Sequence, residues 1–160
     1  MMWSEPKNRI SKRALSVWRI HGIIYTAAMA ILFIIIAALF FTFDWPKWLL
    51  AVLAVLVFID CLFNIFLKPK LRWRRWRYEV RDEEIEIQHG LFVIRKTLIP
   101  MVRVQHVDLE QGPILKKYRL ATVRVHTAAT PHAIPALEGE EADRLRSTIA
   151  QLAKVALDDV

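Results

Sequence analysis

Four residues in the second half of the chain have side chains that could move a proton or hold a metal ion. His106 and Asp108 stand two apart in QHVDLE, and Arg124 and His126 stand two apart in TVRVHT. Residues i and i+2 of a strand share a face, so each pair would present its groups together. A His-x-Asp pair can form a general base or half of a metal site. The rest of an active site is missing. There is no nucleophile elbow, no glycine-rich phosphate loop and no further carboxylate cluster, in a chain with only four glycines. These residues are therefore expected to be solvated or hydrogen-bonded strand positions, with no catalytic residue, no metal site and no cofactor. His21, His89 and His132 stand alone. The single cysteine, Cys61, lies in an apolar run, without a disulfide partner or a zinc-like spacing.

Two other groups of residues suggest binding rather than reaction. Asp60 and Asn64 lie one helical turn apart in the otherwise apolar run from Trp48 to Leu67. A carboxyl at the centre of a membrane helix costs ~2.5–3.5 kcal/mol on insertion scales, so it should find a partner. The expectation is a polar contact with another helix, either inside the hairpin, where Tyr25 and Thr26 lie near the matching depth, or across a subunit interface. A proton or ion path would need more ionisable groups. The second group is KPKLRWRRWRYE, directly after that run. Basic residues there are worth ~1 kcal/mol each at an anionic leaflet. Tryptophans suit headgroup depth. Lys68, Lys70, Arg72, Trp73, Arg74, Arg75, Trp76 and Arg77 thus form a candidate lipid interface, although the same charges would also fix topology.

The elements that position these groups fall into two kinds. His21 to Phe43 contains no Asp, Glu, Lys or Arg, and Trp48 to Leu67 only Asp60. At ~1.5 Å per residue each run can cross a ~30 Å hydrocarbon core. DWPKW between them is a short turn, so the two spans form a hairpin with both termini on one side. The first run starts too late and runs too long for a cleaved signal. Lys7, Arg9, Lys12, Arg13 and Arg19 precede the hairpin and six basic residues follow it, against Lys47 alone in the turn. The positive-inside rule therefore expects both termini in the cytoplasm. This explains why 55% of residues are apolar and the mean hydropathy is +0.28. It also localises the net charge of +7: residues 1–77 hold 12 Lys/Arg against Glu5, Asp44 and Asp60, while residues 78–160 hold 11 against 13 acidic residues. The second half has no basic excess, which argues against nucleic acid as a partner.

The second half reads as strands. Tyr78 and Val80 share a face. After a turn at Arg81–Glu83, Ile85 and Ile87 share another, with Glu84, Glu86 and Gln88 opposite on a solvated side. His89-Gly90 closes a hairpin, and the next strand is expected from Leu91 to about Ile99, ended by Pro100. Val102 and Val104 have one parity and Val107 and Leu109 the other, so a β-bulge is expected near Gln105-His106. Gly112-Pro113 breaks the strand and PILKKYRL gives a turn of helix. Val123 and Val125 point inward in the next strand, and PHAIPAL is extended. Ala142, Leu145, Ile149, Leu152 and Ala156 form the apolar stripe of a closing helix, with Gly139 at its start.

That order is the order of a pleckstrin-homology fold. YEVRDEEIEIQHGLF resembles the opening of the bacterial PH domains, and IPMVRVQHVDLEQGPILKKYRLATVRVHTA resembles their central signature. With two spans immediately upstream, the chain resembles the YdbS-like, membrane-flanked PH-domain proteins from about Arg19 onward. KKYRLATV departs from relatives that carry a glycine at this turn. The expected architecture is a two-helix transmembrane hairpin followed by an α+β PH-like domain, a small antiparallel β-barrel or sheet capped by a C-terminal helix. The expected boundaries are a basic N-terminal segment 1–19, the hairpin 20–67, a basic linker 68–77 and the domain 78–160. The resemblance implies a bacterial inner-membrane protein. The expected function is a non-enzymatic interaction and assembly module, acting as a homo-oligomer or in a hetero-complex with another membrane protein of its family. The alternative is recognition of anionic lipid headgroups; a transporter or enzyme accessory subunit comes third. Membrane lipid is an expected partner; nucleic acid is not, and no small-molecule substrate is indicated.

Overall fold

The computed structural model describes residues 5–158. The chain divides into two compact units, one made of residues 18–71 and the other of the segments on either side of it.

The first unit is the hairpin. Helix α1 spans Ala14–Thr42 and α2 spans Lys47–Leu62. Asp44, with φ +50°, and Pro46 turn the chain between them. Trp45 packs edge-on against Phe40 with ring centroids 5.0 Å apart. A π-helical turn, Phe63–Leu67, follows α2, and helix continues as α3, Lys68–Arg75. The expected linker is thus helical to Arg75. Pro69 accounts for the widened turn: it has no N–H to give and its ring would clash with the carbonyl of Ile65. The spans approach closely where Gly22 faces Asn64. A β-carbon on Gly22 would lie 2.7 Å from the Asn64 carbonyl oxygen. The continuous helical runs Ala14–Thr42 and Lys47–Arg75 are each long and apolar enough to cross a membrane, and Ile34, Phe41, Val55, Phe58 and Ile59 stand exposed along them. So large an apolar surface suits lipid and not water.

The second unit is the β domain. Its strands are β1 Asn8–Arg9, β2 Arg77–Val80, β3 Glu84–His89, β4 Arg95–Pro100, β5 Val104–Glu110, β6 Leu120–Thr127 and β7 Pro131–Glu138. They form two antiparallel sheets, β1-β2-β3-β4 and β5-β6-β7. A 3₁₀ turn, Met101–Arg103, joins the sheets; α4, Pro113–Lys117, joins β5 to β6; and α5, Gly139–Asp158, closes the domain. Ile85, Ile87, Val123, Val125, Ile134 and Leu137 are buried, with Ala142 and Ile149 of α5; Leu145 and Leu152 are half-buried. Each fully buried aliphatic side chain contributes ~1.5–3 kcal/mol.

Four sequence expectations need correction. The N-terminal segment is part of the domain and not a basic tail: β1 pairs with β2, and Ile10, Ala14 and Val17 are buried. Strand β4 starts at Arg95 and not at Leu91. Gly90, at φ +151°, starts a loop so tight that a β-carbon there would meet the Val93 carbonyl oxygen at 2.0 Å. The face of Glu84, Glu86 and Gln88 is not solvated. Glu86 and Gln88 are buried, and Glu86 is held by Lys96 at 2.9 Å and Arg81 at 3.4 Å. Val102 lies outside any strand, exposed beside the 3₁₀ turn. The expected bulge is present: the β5–β6 register shifts between Val104 and His106, turning Val107 and Leu109 inward beside buried Val104. Arg119 takes φ +56° at the turn before β6, a conformation that favours glycine.

Candidate functional site

Among the described residues, three places combine accessibility with specific side-chain chemistry. The first is a groove of about 700 Å³ in the β domain, lined by β4 at Leu98–Pro100, by Val102–Gln105, by the β6–β7 turn and by Leu157 of α5. Its geometry follows from the fold. β4 is an edge of one sheet and β5 of the other, and the groove lies at the end of β4 and the start of β5, where the chain passes between the sheets. Unpaired strand edges offer backbone N–H and C=O groups to an added strand. Leu98, Val102 and Leu157 are exposed along it, which supplies apolar contact. Leu98 and Leu157 carried no signal in the sequence; Val102 stood out only through the parity conflict of Val102 and Val104 with Val107 and Leu109.

The second place is the juxtamembrane segment. The structure separates its residues. Trp76 is 6% exposed and stacks on His89 with centroids 5.4 Å apart, so it is core and not a headgroup anchor. Trp73 donates its indole N–H to the carbonyls of Ile10 and Ser11, both at 3.2 Å, with the Arg9 guanidinium 5.8 Å above its ring. It staples the N-terminal segment. Arg77 lies in β2 and pairs with Glu5 at 2.8 Å. Arg75 donates to the carbonyls of Leu91 and Phe92. Lys68, in the hairpin unit, donates to Asn64 Oδ1 at 3.0 Å. Lys70, Arg72 and Arg74 are exposed. What the sequence reading missed is the loop that Arg75 holds. Phe92 and Val93 are 74% and 73% exposed, and Ile94 and Arg95 follow, also exposed. An apolar tip beside exposed arginines is the chemistry of an interfacial anchor. His89, under Trp76, is held below the usual histidine range by burial first and by Arg95, Arg72 and His132 next.

Asp60 and Asn64 come together, but within one helix. Asn64 Nδ2 donates to Asp60 Oδ1 at 2.9 Å and to the Asp60 carbonyl at 3.0 Å, and Lys68 extends the ladder. These hydrogen bonds run along one face at i, i+4 and i+8. On the neighbouring span Thr26 Oγ1 is buried without a hydrogen-bond partner.

The third place is the outer face of β5 and β6. His106 lies opposite His126, and Asp108 opposite Arg124. Asp108 Oδ2 is 3.5 Å from His106 Nε2 and 3.4 Å from His126 Nε2, and the two imidazoles stack with centroids 4.2 Å apart. Arg124 pairs with Glu110 at 2.6 Å. One histidine from each i, i+2 pair seen in the sequence thus converges on Asp108, while Arg124 turns to Glu110.

Two helices of spanning length, followed by two antiparallel sheets closed by a C-terminal helix, define a membrane-flanked PH-like protein. Residues 22–153 match the bacterial PH domain family, and the chain belongs to that family. It is 52% identical over 159 residues, 99% of this chain and 100% of the relative, to transmembrane protein YdbS of Bacillus subtilis (strain 168). It is 29% identical over 83 residues, 49% of this chain but 17% of the relative, to transmembrane protein YdbT of that organism. No solved structure matches. The chain is a transmembrane protein with a bacterial PH domain.

Proposed function

We propose that the protein is a non-enzymatic, membrane-anchored interaction module, which holds its β domain at the cytoplasmic face of the bacterial inner membrane and docks another membrane protein of its family. The orientation rests on the basic flanks of both spans. The observation that carries the docking is the groove at the end of β4 and the start of β5, rimmed by Leu98, Val102 and Leu157. The sheet edges β4 and β5 beside it could pair an extended segment through the main chain, with the apolar rim for side chains. The choice of occupant is supported by the relatives, since one organism carries both YdbS and a YdbT of which this module matches 17%. A photo-crosslinker in the groove tests the reading by the identity of what it captures; a second copy of this chain or a lipid are its other outcomes.

A second reading is favoured by the Phe92–Ile94 tip. Arg75 holds it through the carbonyls of Leu91 and Phe92. Arg75, bonded to its backbone, and exposed Arg95 just after it give the tip positive charge. In this reading the loop enters an anionic leaflet and steadies the domain there. It replaces the tryptophans as the lipid contact.

A further inference from the structure

We propose that His106, Asp108 and His126 form a binding site for a divalent metal ion of the zinc class. The site is built by the fold and not by a sequence motif. The bulge between Val104 and His106 sets His106 opposite His126 and brings Asp108 onto that face. Without the shift, β5 would turn both residues toward the core.

The distances have the form of coordination. Zinc bonds of ~2.0–2.1 Å to nitrogen and oxygen in a tetrahedron set neighbouring donor atoms ~3.3–3.4 Å apart. Asp108 Oδ2 lies 3.5 Å from one imidazole nitrogen and 3.4 Å from the other. Both separations exceed the ~2.7–2.9 Å of a charge-assisted hydrogen bond, so the three groups are not locked tightly to one another. The three donor atoms all lie within 4.8 Å of one another. The two rings stack at 4.2 Å and 11°, so one must turn to aim both in-plane lone pairs at a single ion, and His106, 58% exposed, has room to rotate.

The donor set decides the class of ion. Two imidazoles and one carboxylate suit zinc and other borderline divalent ions, whereas calcium and magnesium take all-oxygen sets. Arg124, opposite Asp108, is paired with Glu110 at 2.6 Å, so its charge is offset beside the site. Exposure of His106 and Asp108 leaves the remaining coordination position to water. A surface site of this kind adds an ion without burying a charge, and it stands independently of the docking groove.

The test uses the full-length protein in detergent, with a purification tag free of histidine, stripped by chelator and titrated with Co²⁺ and Zn²⁺. The expected result is one ion per chain with a tetrahedral Co²⁺ spectrum. Losing a partner behind a ligand costs ~10–100-fold in affinity, so His126→Ala and Asp108→Asn should each weaken binding ~100-fold or more. Both variants should melt like the parent in chelator, and His132→Ala should bind like the parent. The proposal is overturned if the parent binds neither ion at micromolar concentration. It is equally overturned if both variants bind as tightly as the parent.

Discussion

Asn8 lies directly opposite Tyr78 in an antiparallel ladder, although both candidate spans separate them in the sequence. The β domain is therefore closed by chain from both ends of the hairpin. Tyr78 is buried here and donates its hydroxyl proton to Glu141 at 2.7 Å, tying this ladder to α5. Burial, then the bonded and charged Glu141, raises the phenol well above its ordinary range.

The first prediction concerns this closure. Ile10 is buried although it precedes the hairpin. Ile10→Ala in the full chain should destabilise the β domain by ~2–5 kcal/mol. Limited proteolysis in denaturant reads the loss as earlier cleavage within residues 78–158. Unchanged cleavage would detach the N-terminal segment from the domain.

Arg119 offers the opposite sign. Its φ of +56° costs an L-residue ~1–2 kcal/mol, which glycine avoids. The backbone is pinned there, since the Arg119 amide donates to Lys116 and its carbonyl accepts from Gly139. Arg119→Gly should therefore raise the thermal midpoint of the domain, offset in part by the greater freedom of glycine in the unfolded chain. A lower midpoint would mean that the arginine side chain contributes more than the strain costs.

His89 gives a pH dependence. Its folded pKa lies below the unfolded value of ~6.5, so the unfolded chain binds the extra proton first. The corresponding stability is present above pH ~6.5 and is lost as pH falls from there through the folded pKa. His89→Gln should flatten denaturation midpoints between pH 7.5 and 5.5, where the parent loses stability. A parent midpoint constant over that range would contradict the assignment.

The Phe92–Ile94 tip can be placed with a single fluorophore. Residue 93, labelled after Val93→Cys in a Cys61→Ala background, should emit further to the blue in anionic proteoliposomes than in neutral ones. A lipid-phase quencher should reach it. Emission typical of water in both vesicles would remove the tip from the membrane.

Much of this architecture was legible in residue patterns. The spans follow from unbroken apolar length, the bulge from the conflicting parity of Val104 and Val107, and α5 from the 3–4 spacing that puts Ala142 and Ile149 in the core. β1 was not legible, because two polar residues, Asn8 and Arg9, carry no period. Phe92–Ile94 reads as strand by composition; the backbone at Gly90 makes it a loop. Trp73 and Trp76 have the composition of a headgroup belt, and only long-range contacts with Ile10 and His89 reveal their structural role. The histidine cluster was half visible. Each i, i+2 pair lay in the sequence, but their meeting depends on a cross-strand register that a bulge sets.

The docking reading is tested most directly by a photo-crosslinking amino acid placed at Leu98 or Val102 in the groove, with Lys117 on α4 as the control position, in native membranes. The account predicts that both groove positions capture another membrane protein of the bacterial PH domain family and that position 117 does not. Capture of lipid alone at Leu98 and Val102, or equal capture from position 117, would contradict it.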